Sequence, residues 1–249
     1  MEQVSTGLAG IDLLDKVFWE LGEFIRKESS DVHLVFDEFQ EITELKTRRI
    51  EGVMRNYIQT HQASYFFVGS RRRILLNIFN EPNRPFYQSA IMYPLKPLPH
   101  EELVDFLVDQ FKAGGKMCPR RVAEIISEKT FQYPYYAQSF AYNLFEVAGN
   151  KVTMEDVNAG FEKLMASERY GYENTIQGLT ASQIALLRAL AMAPNKKIHT
   201  AEYLARHNLS LGGIQYAQKK LVQLDLIEKN DDGAWHVVDP LFGSWLAGY

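Results

Sequence analysis

The chain has 249 residues, 46% hydrophobic and 23% charged, the profile of a globular protein with room for two domains. A formal charge of −4 and a pI near 5.9 make no case for a strongly basic nucleic-acid binder or a polybasic membrane binder. Its single cysteine, Cys118, excludes an internal disulfide and a Cys-cluster zinc site, and no apolar run approaches the roughly 20 residues of a membrane span. Met1-Glu2-Gln3 lacks the basic and apolar regions of a signal peptide, so the expected location is cytoplasmic, without a membrane partner.

Ile11, Leu14, Val17, Phe18, Leu21, Phe24 and Ile25 recur at helical spacing, so the first ~27 residues predict an amphipathic helix. Val32-His33-Leu34-Val35-Phe36 then ends abruptly in Asp37-Glu38, the pattern of a buried parallel strand delivering carboxylates to a sheet edge. A second helix is expected over about 43–62, with Ile50, Val53, Met54, Tyr57 and Ile58 on one stripe. Tyr65-Phe66-Phe67-Val68, closed by Gly69-Ser70, reads as the next buried strand, giving the βαβ unit of a parallel sheet. A short helix (about 71–79) and a strand (about 88–93) extend it.

Pro94, Pro97 and Pro99 then interrupt the chain. Helices follow near 99–112, 119–130, 134–148 and 153–167, and 168–178 reads as a polar, glycine-bearing linker. The C-terminal part predicts helices over 180–192, 200–207 and about 214–225, with Gly212-Gly213 in or near the turn before the third. A hairpin closes the series, its strands at 226–229 and 235–238 turning at Asn230-Asp231-Asp232-Gly233. That order is a winged helix-turn-helix. The expected domains are an α/β core (1–96), a helical subdomain (97–170) and the winged helix (179–249).

In P-loop ATPases a strand tip of this kind carries the Walker B acids, the first for Mg²⁺ and the second to polarise water. Asp37 and Glu38 are candidate catalytic acids on that reading, with Asp37 the Mg²⁺ ligand only when nucleotide is present. The plainer alternative is a strand followed by acids that favour a helix start. Nowhere does the sequence contain G-x-x-x-x-G-K-S/T, the loop that cradles phosphates. Its nearest approach, Gly114-Gly115-Lys116-Met117, lacks the earlier glycine, since position 110 is Gln110, and lacks the hydroxyl.

Arg71, Arg72 and Arg73 are either an arginine finger or a solvated basic helix face. The aromatic run Tyr133 to Tyr136, with Phe131, Phe140, Tyr142 and Phe145, suits a lid over a base or a subdomain core. The six histidines show no metal-ligand spacing. On the third helix of the winged helix, Gln215, Gln218, Lys219 and Lys220 are candidate contacts to DNA or to a partner protein. From Leu179 to Tyr249 seven Lys/Arg stand against six Asp/Glu, a balance of +1, which is thin for a duplex binder. Asp231 and Asp232 at the hairpin tip would repel phosphates, so a protein partner is as good an expectation as DNA.

Taken in order, these segments resemble the archaeal-type ATPase family, a STAND-related branch of the AAA+ P-loop superfamily. Val32 to Gln40 is similar to the family's hydrophobic-Asp-Glu-Phe-Gln Walker B, and Phe67-Val68-Gly69-Ser70 to its sensor strand. Tyr93-Pro94-Leu95-Lys96-Pro97-Leu98 resembles the connection into the lid. Phe131-Gln132-Tyr133-Pro134-Tyr135-Tyr136 resembles a lid turn in which Gln132 replaces the usual glycine. Val238-Asp239-Pro240-Leu241-Phe242 through Trp245 resembles the ending after the winged helix.

The resemblance implies an ATP-dependent switch that uses ATP and Mg²⁺. Ser70 would be its polar sensor, and Tyr133 and Pro134 the lid's nucleotide contacts. It also implies a member lacking its N-terminal third, with the Walker A loop. The 249 residues are then expected to hydrolyse nothing alone, to bind no cofactor tightly, and to self-associate through a truncated sheet edge. The competing expectation is a non-enzymatic regulator acting through the winged helix.

Overall fold

The computed structural model describes residues 2–28, 31–45 and 49–248, with side chains from residue 10 onward. The chain divides into two compact units, Met1–Pro94 and Leu95–Tyr249.

In the first unit, helix α1 (Glu2–Lys27) buries Ile11, Phe18 and Ile25, as its spacing predicts. Strands β1 (His33–Phe36) and β2 (Ser64–Phe67) pair in parallel, His33 opposite Ser64 and Phe36 opposite Phe67. The ladder runs on past both strands, with Val68 N–H donating to Phe36 O at 2.8 Å and Phe39 N–H to Val68 O at 2.9 Å. Between the strands lie a 3₁₀ turn (Phe39–Glu44) and helix α2 (Arg49–Thr60). The helix expected over 43–62 is therefore shorter. Glu38 takes a left-handed backbone (φ 49°) that starts the tighter turn, and part of the expected span, 46–48, lies outside the described residues.

Helix α3 (Arg72–Asn80) follows β2. Phe18, Phe39, Ile42, Met54, Ile78, Phe79 and Phe86 form the core of this unit. Only one face of the sheet meets that core. Phe36 and Phe67 pack against it, while Val35 is 64% and Phe66 51% exposed on the other face. The expectation of strands buried on both faces is met on one. The strand expected near 88–93 does not form: Gln88 turns left-handed (φ 52°) and Ile91 is 97% exposed. Apolar content alone predicted it, and no neighbouring strand among the described residues pairs with it.

The second unit opens with α4 (His100–Ala113), α5 (Arg120–Lys129), α6 (Pro134–Val147) and α7 (Met154–Gln177). Thr153 and Asp156 cap α7 reciprocally. This helix continues straight through the expected linker at 168–178, because Tyr172 is buried against Phe242 and Trp245. Then come α8 (Ala181–Met192), α9 (Ala201–Arg206), α10 (Leu211–Gln223), β3 (Ile227–Lys229), β4 (Trp235–Val237) and α11 (Pro240–Ala247). Gly212 and Gly213 lie inside the first turn of α10. One apolar core runs from Leu103 through Phe140 and Leu190 to Phe242, so helical subdomain and winged helix are packed as one body. Among the described residues no helix is long and apolar enough to cross a membrane.

Candidate functional site

The β1–β2 ladder brings two tips together. Asp37 and Glu38 leave the end of β1 while Gly69 and Ser70 leave the end of β2. Ser70 Oγ donates to Glu38 Oε2 at 2.9 Å, across 32 residues of sequence. The Gln40 amide Nε2 donates to the same oxygen. Those two bonds, Gln40's first, hold the Glu38 carboxyl below its usual range, and the Arg71 guanidinium acts in the same direction. Asp37 is exposed and accepts the Glu38 backbone N–H on Oδ1 at 2.9 Å.

Three residues singled out by sequence, Asp37, Glu38 and Ser70, thus share one exposed sheet edge. Arg71 caps α3, and Arg72 and Arg73 occupy its first turn. Gln40, which sequence reasoning gave no role, is buried directly behind Glu38. Its signal was the spacing: two residues past Glu38, in a tight turn, its side chain comes back to the strand tip.

An Mg²⁺-nucleotide fits this donor set at the metal end, where Asp37 presents a solvent-facing carboxylate. For the phosphate end the sequence offers no G-x-x-x-x-G-K-S/T loop. Lys116, the lysine of the nearest P-loop-like sequence, donates to Phe145 O and to Ala148 O and lies 4.2 Å over the Phe145 ring. It closes the C-terminus of α6 and is not directed at a ligand. Among the described residues no three His, Cys, Asp or Glu side chains are grouped to hold a metal.

Tyr133 and Pro134 belong to the second unit, as N-cap and first residue of α6. Tyr136 and Phe140 of the aromatic run are core, whereas Tyr135 and Tyr142 are exposed. In the winged helix, α10 turns Gln215, Tyr216, Lys219, Lys220 and Gln223 outward. Gln218 is instead half-buried, and its Oε1 accepts from His199 Nε2 at 2.8 Å. Sequence reasoning missed Tyr216 and Gln223, which the helical period would have supplied.

The Walker-type ATPase PABY2304 of Pyrococcus abyssi is similar in structure, with a TM-score of 0.67 over 94% of this chain at 17% identity. The fold is P-loop ATPase-like, with a small part of the parallel sheet. This chain spans 65% of that protein's length. Residues 170–248 match a family model described as a probable winged helix domain. The RuvB Holliday junction branch migration motor of Thermotoga maritima (14% identity, 93% of this chain, 74% of that one, TM-score 0.47) overlaps more loosely. So does the ORC1 protein of Aeropyrum pernix in complex with DNA (13%, 92%, 67%, TM-score 0.46). No curated protein matches this chain in sequence.

Proposed function

We propose that this chain carries the Walker B and sensor half of an ATP-dependent switch of the archaeal-type, STAND-related kind, and that these residues alone act as a scaffold without hydrolysing ATP. One observation carries the reading. The Ser70 hydroxyl meets the Glu38 carboxylate at adjacent strand tips, beside the exposed carboxylate of Asp37. In phosphoryl transfer a metal-holding acid and a water-orienting acid must be fixed at such an edge. Asp37 would hold Mg²⁺ on a bound nucleotide, Glu38 would orient water, and Ser70 would sense the phosphate. Without backbone amides and a lysine to receive the triphosphate, carboxylates at this edge repel it. Self-association through the sheet edge would add a strand beside β1 or β2, and gel filtration reads it directly.

Melting with and without millimolar Mg-ATP tests this, with Asp37→Ala as control. Ligand at ~100 times its dissociation constant would add roughly 2.7 kcal/mol, a shift of several degrees. The scaffold reading expects no shift. A shift abolished by Asp37→Ala would overturn it in favour of an intact nucleotide site.

A second reading, a regulator binding through the winged helix, is favoured by the outer face of α10. Gln215, Lys219, Lys220 and Gln223 present amides and cations there, and the helix carries no acid from Leu211 to Gln223. Such side chains suit base edges and phosphates, although Asp231 and Asp232 are exposed at the wing tip. Fluorescence anisotropy with duplex DNA at two salt concentrations distinguishes DNA from a protein partner. Binding that weakens with salt and with Lys219→Ala supports DNA.

A further inference from the structure

Gln40 is only 2% exposed, in a unit whose other buried side chains are mostly apolar. Its Nε2 donates to Glu38 Oε2, and its Oε1 is buried with no hydrogen-bond partner. Turning the amide over would set Oε1 against the Glu38 carboxylate, acceptor against acceptor, so the neighbours fix its orientation. That orientation strands a buried acceptor, which is destabilising. A leucine or methionine of similar size would avoid the penalty while filling the same volume.

Gly69 explains how the amide stays in place. A Cβ built on Gly69 would overlap Gln40 Oε1 and come within 3.4 Å of Gln40 Cδ. The Gly69 backbone is not left-handed, so chain conformation does not demand glycine there. The demand comes from the amide. Thr43 Oγ1 donates to Gln40 O at 2.8 Å and secures the backbone of the same turn.

We propose that Gln40 is a positioning residue for this site: its amide, seated in the space left by Gly69, holds the Glu38 carboxylate beside Ser70. The two segments that resemble Walker B and sensor are then one mechanical unit. The glycine of the second (Gly69) leaves the room that the last residue of the first (Gln40) occupies. This deepens the proposed function, since it rests on Glu38 as the water-orienting acid.

Two measurements on the full chain test it without nucleotide. The first is the ¹⁵N–¹H signals of the Gln40 side-chain amide, assigned by their loss in Gln40→Leu. They should shift on Glu38→Gln, which removes the charged acceptor from an exposed position. A Gln40 that merely filled space would not respond. The second is a double-mutant cycle in melting temperature. Gly69→Ala should lower the melting temperature by several degrees, and should change it little in a Gln40→Ala background. If Gly69→Ala fails to fold, Gln40→Ala should restore folding to the double variant. Equal losses in both backgrounds, a double variant that stays unfolded, or amide signals unmoved by Glu38→Gln would overturn the proposal. Failure here is separate from failure of the ATPase reading, which the Mg-ATP melting experiment decides.

Discussion

The Tyr136 hydroxyl donates to Asp239 Oδ2 at 2.5 Å, joining residues 103 apart in sequence. Tyr136 sits in the first turns of α6 and Asp239 is the N-cap of α11, so a helical-subdomain turn and the winged-helix ending meet at one bond. Asp239 uses its other oxygen to accept the Leu241 and Phe242 amides at 2.9 and 3.0 Å. Burial first, and then the bond to Asp239, push the Tyr136 phenol far above its usual range, so it stays a donor. Tyr172 backs the joint, 5.0 Å from the Phe242 ring and 5.6 Å from that of Trp245.

Removing either partner should loosen both ends of this unit. Tyr136→Phe is expected to cost about 1–2 kcal/mol, and Asp239→Ala about 2–3 kcal/mol because a helix cap is lost as well. The double variant should fall short of the sum by about 1 kcal/mol, since each single change already breaks the shared bond. Urea denaturation at neutral pH reads all three. Strict additivity would mean the bond contributes nothing.

A second prediction concerns Glu51 and Arg84. They form an ion pair whose side chains are only 3% and 10% exposed, tying α2 to the loop after α3. Arg84→Leu leaves a buried carboxylate without its cation and should cost the first unit about 3–5 kcal/mol. The double change Glu51→Leu with Arg84→Leu should recover most of that, because two apolar side chains need no compensation. A double variant as unstable as the single would argue that packing around the loop, not charge, is what matters.

Much of this fold could be read from helical and strand periodicity, and the failures are local. The helices of the second unit follow apolar stripes that the sequence displays openly, and Thr153 announces the start of α7 through its capping box. The end of α7 was illegible because residues 168–177 are mostly polar. What extends the helix is Tyr172 meeting Phe242 from far along the chain, which no local pattern encodes. The 88–93 strand failed for the opposite reason, an apolar segment with no neighbour to pair with. At the candidate site the acids were visible as a strand tip, and Ser70 was visible as a strand end. Gln40 was not, because its importance arises from where a left-handed Glu38 sends the chain.

Acid should weaken the first unit through His61. Its Nδ1 lies 2.6 Å from the Tyr65 hydroxyl, and a Cβ on Gly22 would stand 2.7 Å from its Nε2, so α1 presses closely on the ring. Burial, the dominant cause, lowers the His61 pKa below its ordinary value. A lowered folded-state pKa means that the unfolded chain takes up the proton first. The stabilising contribution is complete above the unfolded value of about 6.5 and is lost as pH falls below it toward the folded value. Urea midpoints at pH 7.5 and 5.5 should therefore drop more on acidification for the native chain than for His61→Phe. Equal drops would place the acid sensitivity elsewhere.

The last prediction separates a resemblance in letters from one in function. Gly114-Gly115-Lys116 is the closest the sequence comes to a phosphate loop, yet its parts serve two helix ends. Gly114 and Gly115 (φ 79°) close α4, a Cβ on Gly114 would stand 2.7 Å from the Phe145 ring, and Lys116 binds two main-chain oxygens at the end of α6. Lys116→Met should cost about 1–3 kcal/mol, because charged hydrogen bonds to helix-end carbonyls are lost while the stem still packs. Gly114→Ala should cost a similar amount by forcing the Phe145 ring to move. Neither substitution should alter the response of the melting temperature to phosphate or ATP. A lysine that received phosphate would show the reverse pattern, a small loss of stability and a clear loss of any ligand-induced shift, and the two readouts from one variant decide between them.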